Sequence, residues 1–349
     1  MNRRAIRVLV VDDSAFARKV VREVLSSAEI EVVGTARDGL EALEQIAALK
    51  PDVLTLDLMM PNLDGVGVLK ALPAENRPRV VVVSMSGAES ALGIEALLNG
   101  AVDIVQKPTA LATERLYELG AELRAKVLAA AGAQLPTAAQ ARIEPPLPEA
   151  SGNQIYVDLV VIGTSTGGPQ ALTRLLAGLP VDCAPVGIAL HIPEGYTQGL
   201  AQRLDARGPL RVREAADGMP FEPGVVLLAP GGKHMRVERR GGALVASLTS
   251  DNEARLYTPS VDLLFESAAT QVQDRALGVV LTGMGTDGLA GAGVLRANGA
   301  RVLVESESSC VVYGMPRAIQ EAGLATGETT LEAMAAMIDR TIRRPGKRP

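Results

Sequence analysis

A chain of 349 residues with 35 Lys and Arg against 40 Asp and Glu, a net charge of −5, has the length for two or three domains, each able to bury its own core. The acidic balance, the absence of tryptophan and an aromatic content of 2% remove the electrostatic footprint and the stacking platforms that nucleic-acid binding needs. Two cysteines, Cys183 and Cys310, are too few for a disulfide framework and read as core residues. With no signal segment and no long apolar span, the expectation is a soluble cytoplasmic protein without direct membrane insertion.

Residues 7–123 alternate strand-like and helical runs: RVLVV, SAFARKVVREVLSSA, VVGTA, LEALEQIAAL, DVLTLDL, VVVVS and AVDIVQ. Such alternation predicts a right-handed, doubly wound parallel sheet, which binds ligands beyond the carboxyl ends of its strands. Polar residues stand at those ends. Asp12 and Asp13 follow the first strand, Asp57 follows VLTL, Ser84 ends VVVVS and Lys107 follows DIVQ. Carboxylates converging on one sheet edge repel unless a cation sits among them, and oxygen-only ligands favour Mg²⁺. An anionic group between that metal and Lys107 would be well stabilised, as phosphoryl transfer onto a carboxylate requires. Each polar residue could instead cap its own strand or helix independently; the agreement of several strand ends on one chemistry favours the joint site.

The pair Asp12-Asp13, the D-x-x-M-P-x-x-D-G run from Asp57 to Gly65, Ser84 and Lys107-Pro108 together resemble the receiver domain of two-component response regulators. The resemblance implies a flavodoxin-like fold, phosphorylation of Asp57, and Mg²⁺ held by Asp12, Asp13, Asp57 and the backbone carbonyl of Met59. It also implies that Ser84 and Lys107 contact the phosphoryl oxygens. Ile104 departs from the pattern, standing where many receivers carry an aromatic switch residue.

Residues 124–154 lose apolar periodicity and gain Ala, Pro and Gln, which reads as a semi-rigid linker that begins as the tail of a helix. From Tyr156 the alternation resumes and predicts a second doubly wound sheet. The expected division is therefore 5–123, 124–154 and 155–345. The basic tail Arg343 to Arg348 reads as a solvated terminus.

The second half is organised around VDLVVIGTSTGGP, residues 157–169. Its apolar run predicts a central strand, and Gly163-Thr164-Ser165-Thr166-Gly167 fits the G-x-S-x-G elbow that lifts a serine hydroxyl clear of a sheet. Taken alone, the same turn could bind an anion through backbone N–H groups or serve only as a turn. It lacks the lysine of a P-loop, and Ser165 stands where a dinucleotide fingerprint wants glycine. The chain has two histidines. His191 follows PVGIAL and falls at a strand's carboxyl end, whereas His234 follows VVLLAPGGK and either lines a cleft or braces its loop; position favours His191 as general base. Asp287, in TGMGTDG after LGVVL, is the expected orienting acid, while Asp217, Asp251 and Asp262 lie where capping explains them. The glycine-rich turn around Asp287 would supply oxyanion N–H groups. The order Ser165, His191, Asp287 is not that of the α/β-hydrolases, but triads are defined by geometry.

The segments GTSTGGP, ALHIPEGYTQGLAQRLDA, APGGKHM, TPSVDLLFESAA, LTGMGTDG and SCVVYGMPRA resemble the catalytic domain of chemotaxis protein-glutamate methylesterases. The resemblance implies a Ser165–His191–Asp287 triad that needs no cofactor, with Thr166 and the Met284 N–H assisting at the oxyanion. It implies hydrolysis of glutamyl methyl esters on methyl-accepting chemoreceptors, deamidation of receptor glutamines, and a chemotaxis histidine kinase as phosphodonor. An unphosphorylated receiver is then expected to cover the cleft, and phosphate on Asp57 to weaken that cover. A phosphorylation-dependent receptor-binding or phosphate-sink protein is the competing expectation, as is a paralogue acting outside chemotaxis.

Overall fold

The computed structural model describes residues 4–73, 77–85, 90–107, 113–133, 157–250 and 255–342. Pro108, Asp251, most of the linker and the basic tail lie outside the described residues. The chain divides into two compact units, Met1–Ala133 and Gln134–Pro349.

In the first unit β1 (Ile6–Val11), α1 (Ala15–Leu25), β2 (Ile30–Ala36), α2 (Gly39–Leu49), β3 (Val53–Leu56), α3 (Gly65–Ala71), β4 (Arg79–Ser84), α4 (Ser90–Leu98), β5 (Asp103–Gln106) and α5 (Thr113–Ala131) follow in turn. The strands form a parallel five-stranded sheet in the order β2-β1-β3-β4-β5. Val53 to Leu56 are all buried, as a strand covered by helices on both faces must be. Helices α1, α2 and α3 start on side-chain caps: Ser14, Asp38 and Asp64 accept N–H bonds from Ala17, Glu41 and Gly67. Strand order reverses between β1 and β3, which places Asp12 and Asp57 together at the switch point. The expected boundary at 123 falls inside α5. Leu123, Val127 and Ala130 are buried at helical spacing, a pattern that the surrounding alanines hide in the sequence.

The second unit contains β6 (Leu159–Thr164), α6 (Gly168–Gly178), β7 (Val186–Leu190), α7 (Thr197–Asp205), β8 (Arg211–Glu214), β9 (Val225–Leu228), the hairpin β10 (His234–Arg240) and β11 (Ala243–Thr249), and α8 (Val261–Val272). It continues through β12 (Ala276–Val280), α9 (Leu289–Ala297), β13 (Arg301–Glu305), α10 (Met315–Glu321), β14 (Gly327–Thr329) and α11 (Leu331–Thr341). Seven strands form one parallel sheet ordered β14-β13-β12-β6-β7-β9-β8. The edge strands β8 and β14 are too short and polar to stand out in the sequence. Every residue of β6 is buried, and each buried Val, Leu or Ile contributes about 1.5–3 kcal/mol. With β7 on one side of β6 and β12 on the other, the switch point lies at the end of β6, where Ser165 follows.

Candidate active site

Ser165 leaves β6 in a turn that Gly167 closes as the N-cap of α6, with φ of 81°. A side chain there would be strained and would strike the Val311 Cβ. β6 and β7 run in register from Val160↔Val186 to Thr164↔Leu190, and the His191 N–H donates to the Thr164 carbonyl at 3.1 Å. Ser165 and His191 therefore occupy the next rung of adjacent strands, about 5 Å apart at the backbone. Asp287 arrives from the loop after β12, the neighbour of β6 on its other side.

The His191 Nε2 lies 2.8 Å from Asp287 Oδ2, while its buried Nδ1 has no hydrogen-bond partner among the described residues. No hydrogen bond joins Ser165 Oγ to the ring among the described residues, so of the predicted triad the structure joins the histidine to the acid directly and leaves the serine on the adjoining rung. Tyr257 stacks on the imidazole, with ring centroids 4.1 Å apart and planes inclined by 11°. Such a stack covers one face of the ring and fixes its plane.

Asp287 sits at the N-terminus of α8, which explains its strong hold on charge. Its Oδ1 accepts from the Ser260 hydroxyl at 3.1 Å, the Asp262 N–H at 3.0 Å and the Gly288 N–H at 3.1 Å. Its Oδ2 accepts from the Val261 N–H at 2.7 Å besides His191. Burial would raise the carboxyl, but the His191 bond and charge and the N–H groups of Val261 and Asp262 outweigh it and hold the pKa at about 2. An acid fixed as an acceptor forces the proton of neutral His191 onto Nε2 and leaves a lone pair on Nδ1. Asp262, in the first turn of α8, is pushed up by burial, against the Gly291 N–H and with the charge of Asp287. It caps a neighbouring helix and not its own, which Ser260 caps: its Oδ1 accepts from Gly288 at 2.9 Å and Gly291 at 2.7 Å, at the start of α9.

Gly283 is packed so closely that a Cβ would lie 2.9 Å from the Ser165 Cβ and 3.0 Å from its nitrogen. The following Met284 N–H makes no hydrogen bond among the described residues. Thr166 is buried, and its carbonyl accepts from the Thr282 hydroxyl at 2.9 Å. His234, the alternative histidine, is buried at the start of β10, where Nδ1 accepts the Ser260 N–H at 3.2 Å and so braces the loop that leads to Asp287's partners. Sequence reading missed Tyr257, Thr282 and Glu305; only Glu305 carried a signal, as an acid at the carboxyl end of β13.

In the first unit Asp12, Asp13 and Asp57 offer carboxylate oxygens that all lie within 4.8 Å of one another. Lys107 Nζ lies 2.6 Å from Asp12 Oδ2 and 2.9 Å from Asp57 Oδ2. Burial would lower its ammonium, but these carboxylates raise it above the usual lysine value. The other oxygens are anchored by backbone: Ser14 N–H donates to Asp12 and Leu58 N–H to Asp57, at 2.9 and 2.8 Å. Ser84 is fully buried at the end of β4 and Ile104 lies buried within β5, whereas the Met59 side chain is exposed. An all-oxygen donor set of this charge fits a hard divalent cation.

Two family models match the chain, CheB methylesterase over residues 160–338 and response regulator receiver domain over residues 8–118. Over 97% of this chain and 98% of its own length, a Myxococcus xanthus protein named protein-glutamate methylesterase/protein-glutamine glutaminase 5 is 60% identical. A Halalkalibacterium halodurans protein of the same name, unnumbered, is 41% identical over 97% of this chain and 99% of its own. The crystal structure of the Thermotoga maritima CheB methylesterase catalytic domain covers 53% of this chain and 99% of that one, with 35% identity and a TM-score of 0.52.

Proposed function

We infer the function from the family to which this chain belongs: the protein-glutamate methylesterase/protein-glutamine glutaminases, which here join a response regulator receiver domain to a CheB methylesterase domain. It is a phosphorylation-regulated hydrolase of chemotactic adaptation, removing methyl esters from glutamate side chains of chemoreceptors and deamidating receptor glutamines. The observation that carries the chemistry is the 2.8 Å His191–Asp287 bond on the strand beside Ser165.

Ser165 Oγ attacks the side-chain carbonyl carbon, and its proton passes to His191 Nδ1. Asp287 keeps the other ring proton on Nε2 and stabilises the imidazolium, with Tyr257 stacked over it. The oxyanion is met by the Met284 N–H, assisted by Thr166. Collapse of the tetrahedral adduct returns the proton to the leaving oxygen, releasing methanol, or to nitrogen, releasing ammonia. Water, deprotonated by the same nitrogen, then cleaves the acyl-serine and regenerates the hydroxyl.

In the receiver, Asp57 accepts the phosphoryl group of a histidine kinase, and Lys107 and Ser84 engage its oxygens. Asp12, Asp13, Asp57 and the Met59 carbonyl would hold Mg²⁺, whose charge offsets that of the phosphoryl group when bound. Among the described residues no helix is long and apolar enough to cross a membrane. The reading of a cytoplasmic enzyme acting on the inner ends of receptors rests on the family. The divisions 5–123, 124–154 and 155–345 are kept as functional limits, the first boundary falling within α5.

The test is methanol release from methylated receptor membranes, with and without a small phosphodonor. Ser165→Ala is expected to lower turnover on the order of 10⁶-fold. Near wild-type release by that variant would sink the mechanism.

A further inference from the structure

Glu305, the last residue of β13, has no solvent exposure, and among the described residues no cation pairs with it. Its Oε2 accepts the Thr282 N–H at 2.8 Å and its Oε1 accepts the Ser309 hydroxyl at 2.9 Å. A carboxyl in such a place is expensive to keep, and burial pushes it up to about 7 against those two bonds. The esterase mechanism does not use it directly.

What it holds, however, is the residue on which the nucleophile turn hangs. The Thr282 carbonyl accepts the Ser165 N–H at 3.1 Å and the Thr164 hydroxyl at 2.8 Å. The Thr282 hydroxyl donates to the Thr166 carbonyl at 2.9 Å and accepts the Val312 N–H at 2.9 Å. Thr282 thus binds the backbone on both sides of Ser165, and the same segment leads through Gly283 to the Met284 N–H. Among the described residues the one backbone donor of Thr282 is held by Glu305 alone. Ser309 in turn fixes Glu305 and accepts the Leu331 N–H at 2.9 Å, tying the arrangement to the start of α11.

We propose that Glu305 is a positioning residue for ester hydrolysis, acting through Thr282 to set the Ser165 hydroxyl and the Met284 N–H at the spacing the tetrahedral adduct requires. The proposal rests on Ser165 being the nucleophile. Losing the carboxyl frees the Thr282 peptide to rotate, and a displacement of about 1 Å in a reacting group costs on the order of 10²-fold in rate. Substrate still binds, because no group that recognises it has changed.

The experiment compares Glu305→Gln, Glu305→Leu, Thr282→Val and Ser165→Ala in the full-length chain, measuring kcat and KM for methanol release and checking folding by circular dichroism. Glu305→Leu and Thr282→Val are expected to lower kcat roughly 10- to 100-fold with KM within about twofold. Glu305→Gln keeps an acceptor oxygen for the Thr282 N–H and is expected to stay within about threefold of wild type. Should Glu305→Leu fail to fold, Glu305→Met, equally without an acceptor for the Thr282 N–H, decides by the same thresholds, because Thr282→Val keeps that N–H and reads only the hydroxyl. Wild-type kcat in the folded variants, or a rise in KM at unchanged kcat, beside an inactive Ser165→Ala overturns the positioning role alone. Activity in Ser165→Ala overturns the nucleophile assignment beneath it.

Discussion

Replacing Asp287 by asparagine tests both the base nitrogen and the helix cap at once. The amide has one acceptor oxygen for a site with five donors, and it can be placed in two ways. With its oxygen at the Oδ2 position, the NH₂ faces the N–H groups of Asp262 and Gly288 at 3.0 and 3.1 Å. With its oxygen at Oδ1, the NH₂ faces only one backbone N–H, that of Val261, at 2.7 Å. One orphaned N–H costs about 1–3 kcal/mol and two cost more, so the second placement wins. The NH₂ then donates to His191 Nε2, which must turn acceptor, and the ring proton moves to Nδ1. That is the atom the mechanism needs bare, so kcat is expected to fall about 10⁴-fold. Stability follows the same bonds. A carboxyl lowered from 3.8 to about 2 carries on the order of 2 kcal/mol, fully present above the unfolded value and lost as pH falls through the folded one. Asp287→Asn is therefore expected to cost roughly 2 kcal/mol by urea unfolding at pH 7, with the gap closing as pH falls from 3.8 to about 2. Initial rates of methanol release within 100-fold of wild type would refute the tautomer argument.

Lys107→Met removes the ammonium between Asp12 and Asp57. It is expected to abolish the rise in methanol release on adding phosphodonor while leaving the unstimulated rate within about twofold, since it touches only the receiver. Gly283→Ala drives a methyl group against the Ser165 Cβ at 2.9 Å and against Met315 Sδ. We expect a kcat loss of at least about 10²-fold and roughly 1–3 kcal/mol of lost stability, checked by rates and urea unfolding. Glu305 runs opposite to Asp287 in its pH dependence. With a folded value raised from 4.5 to about 7, it holds its proton longer folded than unfolded, so stability falls as pH rises from the lower value through the higher. Glu305→Gln should therefore gain up to about 3 kcal/mol over wild type at pH 8 and nothing near pH 4. A gap in urea midpoint that does not change with pH would count against an ionising Glu305.

Both doubly wound sheets were legible because buried parallel strands announce themselves as apolar runs, VVVV and LVVIG among them, and because the chemistry gathers at their carboxyl ends. Ser165, His191 and Asp287 could each be placed at such an end without coordinates. Which ring nitrogen meets the acid could not, since that depends on how the imidazole turns after leaving β7. Tyr257 was hidden for a related reason: its stack on His191 joins residues 66 positions apart in sequence, through a loop with no periodicity. Asp262 looked like an ordinary first-turn acid, and its local reading was half right. The helix it caps is α9, a neighbour brought in by packing and not by sequence.

That exchange explains why fold and catalysis are fused at one member of the proposed triad and separate at another. Asp287, just ahead of α9, satisfies N–H groups at the start of α8; Asp262, at the start of α8, satisfies those of α9. Each carboxylate thus closes the other's helix, and at Asp287 the His191 bond and the backbone donors outweigh burial, whereas at Asp262 burial prevails. The acid is fixed in its ionised form by the architecture, so the imidazole tautomer is settled in the resting enzyme. Ser165 differs, because among the described residues its hydroxyl makes no hydrogen bond and only its backbone is engaged, the N–H by the Thr282 carbonyl at 3.1 Å and the carbonyl by the Gly168 N–H at 2.7 Å. Ser165→Ala should accordingly abolish turnover while moving unfolding stability by no more than about 0.5 kcal/mol, the usual range for a substitution that breaks no packed or paired group. A loss comparable to that of Asp287→Asn would mean that the hydroxyl has a structural partner, and that the nucleophile is not held free for its substrate.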